Sequence, residues 1–297
     1  MKILMTGCAG FIGSRLLTKL CKQFGAHNII AFSSKENQFC QTIVYKDVKA
    51  FDLNQDDYKW LNTIEIIIHA GAYIPKSTFE PNQIERCTEN ILFTQALFQL
   101  PLPKLKKIIF LSTVDVYENT DLITEATSAS PLSLYGMSKL YCEKIVAALD
   151  KNIMKQILRI GHVYGPGEEM FKKFLPLAIQ NIIRNEPVEL WGDGSDRRSF
   201  IYLDDVVNAI CNAIALEEEI GPINIVGGVG YTLRELLAQL ESICGKTLDI
   251  KTQARLSPKR NYVFDNTKLK SYLLQEETPL REGLEKEYHY FEALCSI

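Results

Sequence analysis

The sequence predicts an α/β fold in which a doubly wound parallel sheet precedes a smaller, mixed α/β C-terminal lobe. Short apolar runs alternate with helix-period segments up to about residue 165, which is typical of parallel sheets with helices on both faces. Several runs are apolar at consecutive positions, as in strands that are covered on both sides. Beyond residue 165 the pattern loosens. We therefore expect one domain over 1–165 and a lobe over 166–297 that closes over a ligand at the carboxyl ends of the strands.

The elements of the first domain follow from this periodicity. Strands are predicted over 2–6, 28–33, 42–45, 64–70, 106–112 and 156–160. The first helix is predicted over 11–24, because the apolar residues of that segment fall on one helical face. They are Ile12, Leu16, Leu17, Leu20 and Phe24.

The C-terminal lobe has three predicted helices. One covers about 171–184, a second follows Asp204, and a third begins at Thr232, which has capping-box spacing to Glu235. Asp204 and Asp205 stand directly before the second helix, and we expect them to cap it.

The composition excludes several classes of protein. With 46% hydrophobic and 23% charged residues among 297, the chain is predicted to be neither disordered nor fibrous. Its formal charge of −3 gives no broad basic face, so we expect no nucleic-acid partner. The N-terminal apolar run is too short for a signal peptide, and no segment has the length of a membrane span. We therefore expect a soluble cytoplasmic protein without a membrane partner.

The eight cysteines are scattered along the chain, with no C-x-x-C pair and no Cys/His cluster at metal-ligand spacing. This pattern is typical of buried, reduced thiols in a cytosolic protein. We therefore expect neither disulfides nor a metal site.

The segment Gly7-Cys8-Ala9-Gly10-Phe11-Ile12-Gly13 lies between the first predicted strand and the first predicted helix. In such a turn the first glycine permits the bend, the second lets the backbone approach a pyrophosphate, and the third lets the helix pack on the strand. The helix N-terminus supplies free N–H groups and a positive dipole for the phosphates. This context predicts a Rossmann-type dinucleotide-binding domain.

The residues at the end of the second predicted strand bear on the choice of cofactor. In NAD-specific domains an Asp or Glu there accepts a hydrogen bond from the ribose 2′-OH, whereas this chain has Ser33, Ser34 and Lys35. Two hydroxyls and a cation can donate to a 2′-phosphate, which a carboxylate would repel. The pattern therefore favours NADP over NAD. NAD is the alternative if Glu36, further along the loop, takes the role of the carboxylate.

Tyr135 and Lys139 are the candidate acid–base residues. They stand four positions apart in a helix-period segment, so both project from one helical face about 5–6 Å apart. A tyrosine with a pKa of about 10 is a poor acid or base at neutral pH. We expect the neighbouring ammonium to favour the phenolate and to lower the pKa of Tyr135 toward the working range.

Further motifs carry a resemblance to a known family. They are the segments HAGA at 69–72, IIFLSTVDVY at 108–117, RIGHVYGP at 159–166, WGDG at 191–194 and RSFIYLDD at 198–205. Together with the G-x-x-G-x-x-G turn and the Tyr–Lys pair, they resemble the extended short-chain dehydrogenases/reductases. More narrowly, the chain resembles the NAD-dependent epimerase/dehydratase family of nucleotide-sugar enzymes, relatives of UDP-galactose 4-epimerase. The resemblance covers almost the whole chain.

The resemblance implies roles for the candidate residues. Catalysis is expected from Thr113, Tyr135 and Lys139, with the Thr113 hydroxyl bonded to the sugar oxygen that reacts. The predicted dinucleotide contacts are Gly7, Gly10, Phe11, Ile12, Gly13, Ser33, Ser34, Lys35, Asp52, Leu53, Ala70, Gly71, Ala72, Asn90, Tyr135 and Lys139. Asp52 matches a family Asp that contacts the adenine, although a turn or capping role fits its spacing equally well. A regulator of this fold without catalysis would usually lack Tyr135 or Lys139.

The predicted substrate contacts are Thr113, Asp115, His162, Trp191, Arg198 and Arg260. Arg198 matches the family arginine that clamps the diphosphate, and a guanidinium can donate two parallel hydrogen bonds to a phosphate. His162 stands where many relatives have an Asn that contacts the pyrophosphate, and an ordinary interior histidine is the alternative. Trp191 either stacks on the nucleobase or packs the lobe. Arg260 matches a second phosphate-binding arginine.

Departures from the family pattern bear on the reaction. The sugar 4,6-dehydratases have an acid and a base at the positions of Val114 and Asp115, and valine cannot protonate a leaving hydroxyl. With the strand-two pattern, this favours NADPH-dependent reduction of a nucleotide-linked 4-keto (deoxy)sugar at C4. The alternative is an NAD-dependent nucleotide-sugar 4-epimerase. Relatives commonly form dimers through two helices, which correspond here to 83–100 and 134–149, so a homodimer is expected.

Overall fold

The computed structural model describes residues 1–48, 51–77, 80–118, 120–255 and 261–295. Its central layer is a parallel sheet whose first six strands follow the predicted ones closely. They are β1 (Ile3–Thr6), β2 (Ile29–Ser33), β3 (Gln41–Val44), β4 (Ile66–His69), β5 (Lys107–Thr113) and β6 (Met154–Ile160). Every residue of β1, β2, β4 and β5 is buried, because helices cover both faces of the sheet.

A seventh strand, β10 (Ile223–Ile225), completes this sheet in the part of the chain that is described, in the order β10-β6-β5-β4-β1-β2-β3. One face packs against α1 (Phe11–Phe24) and α6 (Leu203–Ala215). The other packs against α2 (Gln55–Leu61), α3 (Ile84–Phe98) and α4 (Leu134–Ala147). The predicted Rossmann-type sheet is confirmed. Its strand order reverses between β1 and β4, and ligands bind beyond the carboxyl ends of strands at such a point.

The C-terminal lobe consists of two small sheets and four helices among the described residues. One sheet has the order β11-β9-β7 and the other pairs β12 with β8. The strands are β7 (His162–Tyr164), β8 (Val188–Trp191), β9 (Arg197–Tyr202), β11 (Gly230–Thr232) and β12 (Ile250–Gln253). The helices are α5 (Phe174–Ile183), α7 (Leu233–Cys244), α8 (Thr267–Tyr272) and α9 (Leu280–Cys295). Thr232 and Glu235 form the predicted capping box of α7.

The main sheet and the helices that cover it include elements from both sides of the predicted domain boundary at residue 165. Although α6 and β10 come later in the chain, α6 packs on α1 and β10 pairs in parallel with β6. Val206, Val207 and Ile210 of α6 are buried in the same core as α1. The chain therefore builds β7, α5, β8 and β9, then returns to the main sheet before it finishes the lobe.

The expectation that Asp204 and Asp205 cap α6 is wrong. The helix begins at Leu203 and has no side-chain cap. Asp204 instead forms an ion pair with Arg15 of α1 at 2.7 Å. Asp205 accepts hydrogen bonds from the backbone N–H and the hydroxyl of Thr278, at 2.8 and 2.9 Å. Both aspartates lie in the first turn of α6, where the helix dipole favours negative charge.

The eight cysteines are free thiols, of which Cys8, Cys87, Cys142 and Cys211 are buried as expected, whereas Cys295 is exposed. Burial raises the pKa of the Cys211 thiol to about 11, so this thiol stays protonated at neutral pH. Across the described ranges, no helix has both the length and the apolar character needed to traverse a membrane.

A buried ion pair joins α4 to the sheet. Arg159 of β6 donates two hydrogen bonds to Glu143 of α4, at 2.7 and 3.0 Å, and the two side chains are 7% and 5% exposed. Arg159 also donates to the Tyr117 hydroxyl at 2.7 Å, and the Ser112 hydroxyl donates to Glu143 at 2.5 Å. These contacts satisfy both charges, which a buried pair requires to be stable.

Replacing Arg159 with Ala should lower the free energy of unfolding by about 3–5 kcal/mol, because Glu143 is left buried without its partner. Urea unfolding followed by circular dichroism measures the change. Lys106→Ala is the matched control, since it removes an exposed ion pair with Glu65 at 3.0 Å, and such pairs contribute about 1 kcal/mol at most. Equal losses in the two variants would contradict this account.

Candidate functional site

The glycine turn between β1 and α1 is formed by close backbone contacts. Gly7 has a φ of +75°, and a Cβ there would lie 2.6 Å from the backbone of Ala70, which follows β4. A Cβ on Gly13 would lie only 1.9 Å from the Gly7 carbonyl oxygen. Neither position has room for a side chain, so α1 starts directly above the junction of β1 and β4.

The start of α1 has room and donors for a phosphate group. Gly10 is the N-cap residue, and no side chain caps the helix. Gly10 is exposed, and a Cβ there would approach only the Gly7 carbonyl oxygen, at 3.3 Å. The N–H groups of a first helical turn have no partner within the helix, and they favour an anion. The turn therefore fits the pyrophosphate of a dinucleotide, with Phe11, Ile12 and Gly13 as backbone donors.

The turn after β4 lies beside the glycine turn, and its residues Ala70, Gly71 and Ala72 are half-buried. The Gly71 N–H donates to the Thr6 hydroxyl at 2.8 Å, and the same hydroxyl lies 2.8 Å from His69 Nδ1. Burial lowers the pKa of His69 to about 3, so this imidazole is neutral. The hydrogen bonds therefore fix the turn where the sequence predicts a cofactor contact.

Asn90 connects this turn to α4. It is 3% exposed, and its amide forms two hydrogen bonds with the backbone of Tyr73, at 2.6 and 3.2 Å. It also donates to the Ser138 hydroxyl at 3.2 Å, and Ser138 donates to the Tyr135 carbonyl at 2.8 Å. These hydrogen bonds fix Asn90 between the turn after β4 and α4, and its predicted contact with the dinucleotide stays a prediction.

Hydroxyls and a cation stand at the end of β2. Ser33 is 6% exposed, and its hydroxyl accepts a hydrogen bond from the Lys35 N–H at 3.3 Å. Ser34, Lys35 and Glu36 are exposed. This edge therefore offers both the donors that suit a 2′-phosphate and, three residues beyond Ser33, the carboxylate that suits a 2′-hydroxyl.

Asp52 and Leu53 lie in the segment before α2. Asp52 is exposed, while Leu53 is half-buried against the core below the sheet. Asn54, and not Asp52, caps α2. The capping alternative for Asp52 is therefore not realised, and its carboxylate remains a candidate for the adenine contact.

Two of the three predicted catalytic side chains, Thr113 and Tyr135, meet at the carboxyl end of β5. Thr113 is the last residue of that strand, and its hydroxyl is within hydrogen-bonding reach of the phenol of Tyr135, in the first turn of α4. Gly136 permits this approach, because a Cβ there would lie 2.3 Å from the Asp115 carbonyl oxygen. Lys139, one turn further on, is 3% exposed.

Burial controls the charge of both acid–base residues. It raises the pKa of Tyr135 well above its usual range, and the charge of Asp115 raises it further. It lowers the pKa of Lys139 to about 8, and the ammonium lies 4.3 Å from the centre of the Phe110 ring. The pKa of Tyr135 is therefore raised, and not lowered toward the working range as the Tyr–Lys spacing predicted, because desolvation of the phenolate by burial is the largest influence on it.

His162 and Arg198 meet at the predicted substrate region. The ring centres of His162 and Tyr262 are 5.3 Å apart, and the Arg198 guanidinium is 5.3 Å from the same tyrosine ring. Arg198 also forms an ion pair with Asp196 at 3.5 Å. Burial, followed by the charge of Arg198, lowers the pKa of His162 to about 3. His162 is therefore a neutral donor and acceptor beside a cation, a combination that suits a phosphate.

Two further predicted substrate residues, Asp115 and Trp191, lie apart from this cluster. Asp115 is bound to Thr113, whose hydroxyl accepts from the Asp115 N–H at 3.2 Å and donates to its carboxylate at 3.3 Å. Trp191 ends β8, in a different small sheet, and is 48% exposed. Arg260 lies outside the described residues. Within those residues, no three His, Cys, Asp or Glu side chains are placed to hold a metal ion.

The sequence analysis missed the residues that position this site. Besides Gly136 and Ser138, they include Thr94, whose hydroxyl lies 3.0 Å from His69 Nε2 and donates to the Asn90 carbonyl at 2.8 Å. Their signal in the sequence is spacing alone. A hydroxyl three or four positions after a helical residue can reach its carbonyl, and that holds for Thr94 after Asn90 and for Ser138 after Tyr135.

Comparisons with known proteins agree with this geometry. Residues 3–226 match the model of the NAD dependent epimerase/dehydratase family. The chain is 31% identical to the uncharacterized UDP-glucose epimerase YtcB of Bacillus subtilis, over 99% of each chain.

Two solved structures, each in complex with a nucleotide sugar, are similar to this chain in both sequence and fold. The UDP-glucuronic acid 4-epimerase of Bacillus cereus, in complex with UDP-glucuronic acid and NAD, is 28% identical with a TM-score of 0.81, over 99% of this chain and all of that one. MoeE5, in complex with UDP-glucose and NAD, is 27% identical with a TM-score of 0.84, over 99% and 100%. The likeness therefore extends over the sheet and the lobe together.

Gly7→Ala should weaken NADH binding by at least about tenfold, because the added Cβ pushes the turn away from Ala70. Titration with NADH, followed by its fluorescence, measures the loss. Gly245→Ala is the control: Gly245 also has a positive φ, of +67°, but a Cβ there would meet nothing within 4 Å. A Gly7→Ala protein that binds NADH like the control would contradict the assignment of this turn.

Proposed function

We propose, because the chain belongs to the NAD dependent epimerase/dehydratase family, that it is a nucleotide-sugar 4-epimerase that works with NAD. The observation that carries the proposal is the meeting of Thr113 and Tyr135 at the carboxyl end of β5, with Lys139 one helical turn further along α4. The sequence alone favoured a 4-ketoreductase. The relatives support the alternative, since those compared above include named epimerases and NAD complexes.

In this proposal, Tyr135 removes the proton from the sugar O4 during oxidation and returns it during reduction. Bound NAD would supply the hydride acceptor and the corresponding donor. The Thr113 hydroxyl, beside the phenol, would hold the same sugar oxygen in line with it. Because the phenol must ionise in a buried site, a nearby cation matters, and Lys139 with a pKa of about 8 is largely protonated at pH 7. Its charge favours the phenolate that forms.

Epimerisation requires that the 4-keto sugar present its other face while the nucleotide stays bound. Arg198 and neutral His162 are suited to anchor the diphosphate during this rotation. The guanidinium can donate two parallel hydrogen bonds to it, in exchange for its ion pair with Asp196 at 3.5 Å. We expect the sugar to be held less tightly than the diphosphate.

Dehydration of the sugar is disfavoured by the residues next to Thr113. Val114 has no proton to give, and it is 3% exposed, in a small apolar core. The Asp115 carboxylate accepts a hydrogen bond from the Thr113 hydroxyl at 3.3 Å. The site therefore offers the machinery for oxidation and reduction at C4 without the acid that eliminates water.

The second candidate is the NADPH-dependent 4-ketoreductase. It is favoured by the end of β2, where Ser33, Ser34 and Lys35 offer donors to a 2′-phosphate. The two functions use the same three catalytic residues. They differ in the cofactor, which an epimerase retains through the cycle and a reductase must exchange after each turnover.

The protein purified without added cofactor should carry about one NAD per chain, and it should interconvert UDP-glucose or UDP-glucuronic acid with the C4 epimer. Mass spectrometry of the denatured protein identifies the nucleotide, and NMR identifies the sugar. Tyr135→Phe should lower kcat by about 10²–10⁴, because the proton carrier is lost. Tyr272→Phe, at an exposed tyrosine of α8, is the control and should leave kcat unchanged.

The outcomes separate the two candidates. A protein without bound NAD that consumes NADPH with a 4-keto nucleotide sugar would replace the epimerase by the ketoreductase. Full activity of Tyr135→Phe would rule out both.

We also propose that the protein is a cytoplasmic homodimer. Unpaired cysteines are typical of a reducing compartment. The surface of α3 and α4, which pack side by side, exposes large apolar side chains: Ile84 is 71% exposed, Met137 is 51% exposed and Tyr141 is 53% exposed. Two such surfaces could bury one another around a twofold axis.

Met137→Glu should convert the dimer to a monomer, because the interface would then bury a carboxylate without a partner. Size-exclusion chromatography with light scattering measures the mass. Leu177→Glu, at an exposed position of α5, is the matched control and should remain dimeric. A monomeric wild-type protein would contradict the proposed interface.

A further inference from the structure

The connection between β7 and α5, residues 165–173, borders the glycine turn, and we call it the cover segment. The rings of Phe171 and Phe11 meet edge to face, with centres 5.9 Å apart, and a Cβ on Gly167 would lie 3.6 Å from the Phe11 ring. Phe11 is the first residue of α1. The cover segment therefore lies against the place where the pyrophosphate would bind.

A pair of buried carboxyl groups joins the cover segment to α9. Glu168 is 1% exposed, and Glu287 of α9 is 0% exposed. The two side chains face each other, and all four of their carboxyl oxygens lack a hydrogen bond of normal geometry among the described residues. An unpartnered buried charge is costly, and two like charges in contact are more so. At least one of these carboxyls therefore has to keep its proton.

The surroundings do not supply enough positive charge to change this conclusion. Lys173 favours ionisation of both carboxyls, and the Gly165 N–H favours ionised Glu287, whereas Glu169 opposes ionisation of Glu168. Among the described residues, other ionisable groups around the pair and its neighbours include Tyr164 on β7, Tyr202 on β9, Asp205 on α6, Tyr231 on β11 and Lys286 on α9. Lys173 is thus the cation that acts on both buried acids, whereas the ammonium of Lys286 lies 5.3 Å from the centre of the Tyr202 ring.

We propose that a proton shared by Glu168 and Glu287 holds the cover segment over the glycine turn, and that loss of this proton speeds release of the dinucleotide. With the proton present, the two carboxyls can hydrogen-bond to each other. Without it, the repulsion is relieved when the cover segment moves away from α9 and withdraws Phe171 from Phe11. The effect on release of the dinucleotide rests on the proposed dinucleotide site, whereas the shared proton does not.

The free energy of unfolding should depend on pH through the same shared proton. Burial and then the charge of Glu168 raise the pKa of Glu287 well above its usual range, and burial raises the pKa of Glu168 to about 7. In the unfolded chain both ionise near about 4.3. Above that pH the folded protein binds more protons than the unfolded one. Its stability therefore falls as the pH rises toward and through 7.

Glu287→Gln tests the shared proton, because the amide is neutral at every pH and can still donate to Glu168. The wild type should lose roughly 5 °C in Tm between pH 6 and pH 8.5 through this pair, and the variant should lose much less. Glu168→Gln makes the same test at the other carboxyl of the pair. Glu282→Gln, at an exposed position of α9, is the control and should behave like the wild type. Equal pH dependence in all four proteins would overturn the shared proton.

Release of NADH tests the link to the cofactor. Its dissociation, followed by fluorescence after mixing with excess NAD, should be on the order of tenfold faster at pH 8.5 than at pH 6 in the wild type. In Glu287→Gln the rate should change little. A wild-type rate that does not depend on pH would overturn the link. Failure to bind NADH at either pH would contradict the proposed function instead, and the Tm comparison would still decide the shared proton.

Discussion

The site depends on two places where backbone packs directly against backbone. At Gly13, α1 rests on the carbonyl of Gly7, and at Gly136, α4 rests on the carbonyl of Asp115. The first contact points the N-terminus of α1 at the junction of β1 and β4. The second brings the phenol of Tyr135 to the end of β5. Neither contact leaves space for a methyl group, so the two halves of the candidate site, at the start of α1 and at the start of α4, each rely on glycine at one position.

The two halves are joined by a chain of hydrogen bonds inside the protein. It runs through neutral side chains, namely Thr6, His69, Thr94, Asn90 and Ser138, and ends at the backbone of Tyr135. Such bonds are strong where water is excluded, provided that every donor has an acceptor. The low pKa of His69 belongs to this arrangement, because an imidazolium could not accept from a neighbouring hydroxyl.

Local patterns in the sequence predicted six strands of the main sheet, α1 and the glycine turn, because each of these depends on neighbours within a turn or a strand, but they did not predict β10. The errors concern partners that are distant in the chain. Asp204 has the spacing of a cap, yet Arg15 binds it. Tyr135 and Lys139 lie one turn apart on α4, as their spacing predicts. The pKa of Tyr135 is nevertheless set mainly by burial, which no local pattern in the sequence reveals. The sequence also did not predict that Glu168 and Glu287 face each other, since their contact depends on where α9 packs.

The position of β10 in the main sheet determines where the chain can be cut into fragments. This strand pairs with β6, so a fragment that ended after residue 165 would have β6 as an open edge, with unpaired N–H and C=O groups along it. Open edges of this kind recruit strands from other molecules. The fragment would also lose α6, which covers the sheet beside α1. The nucleotide-binding half is therefore not a detachable module, and an insertion or fusion that respects the architecture belongs at the chain ends and not between the two halves.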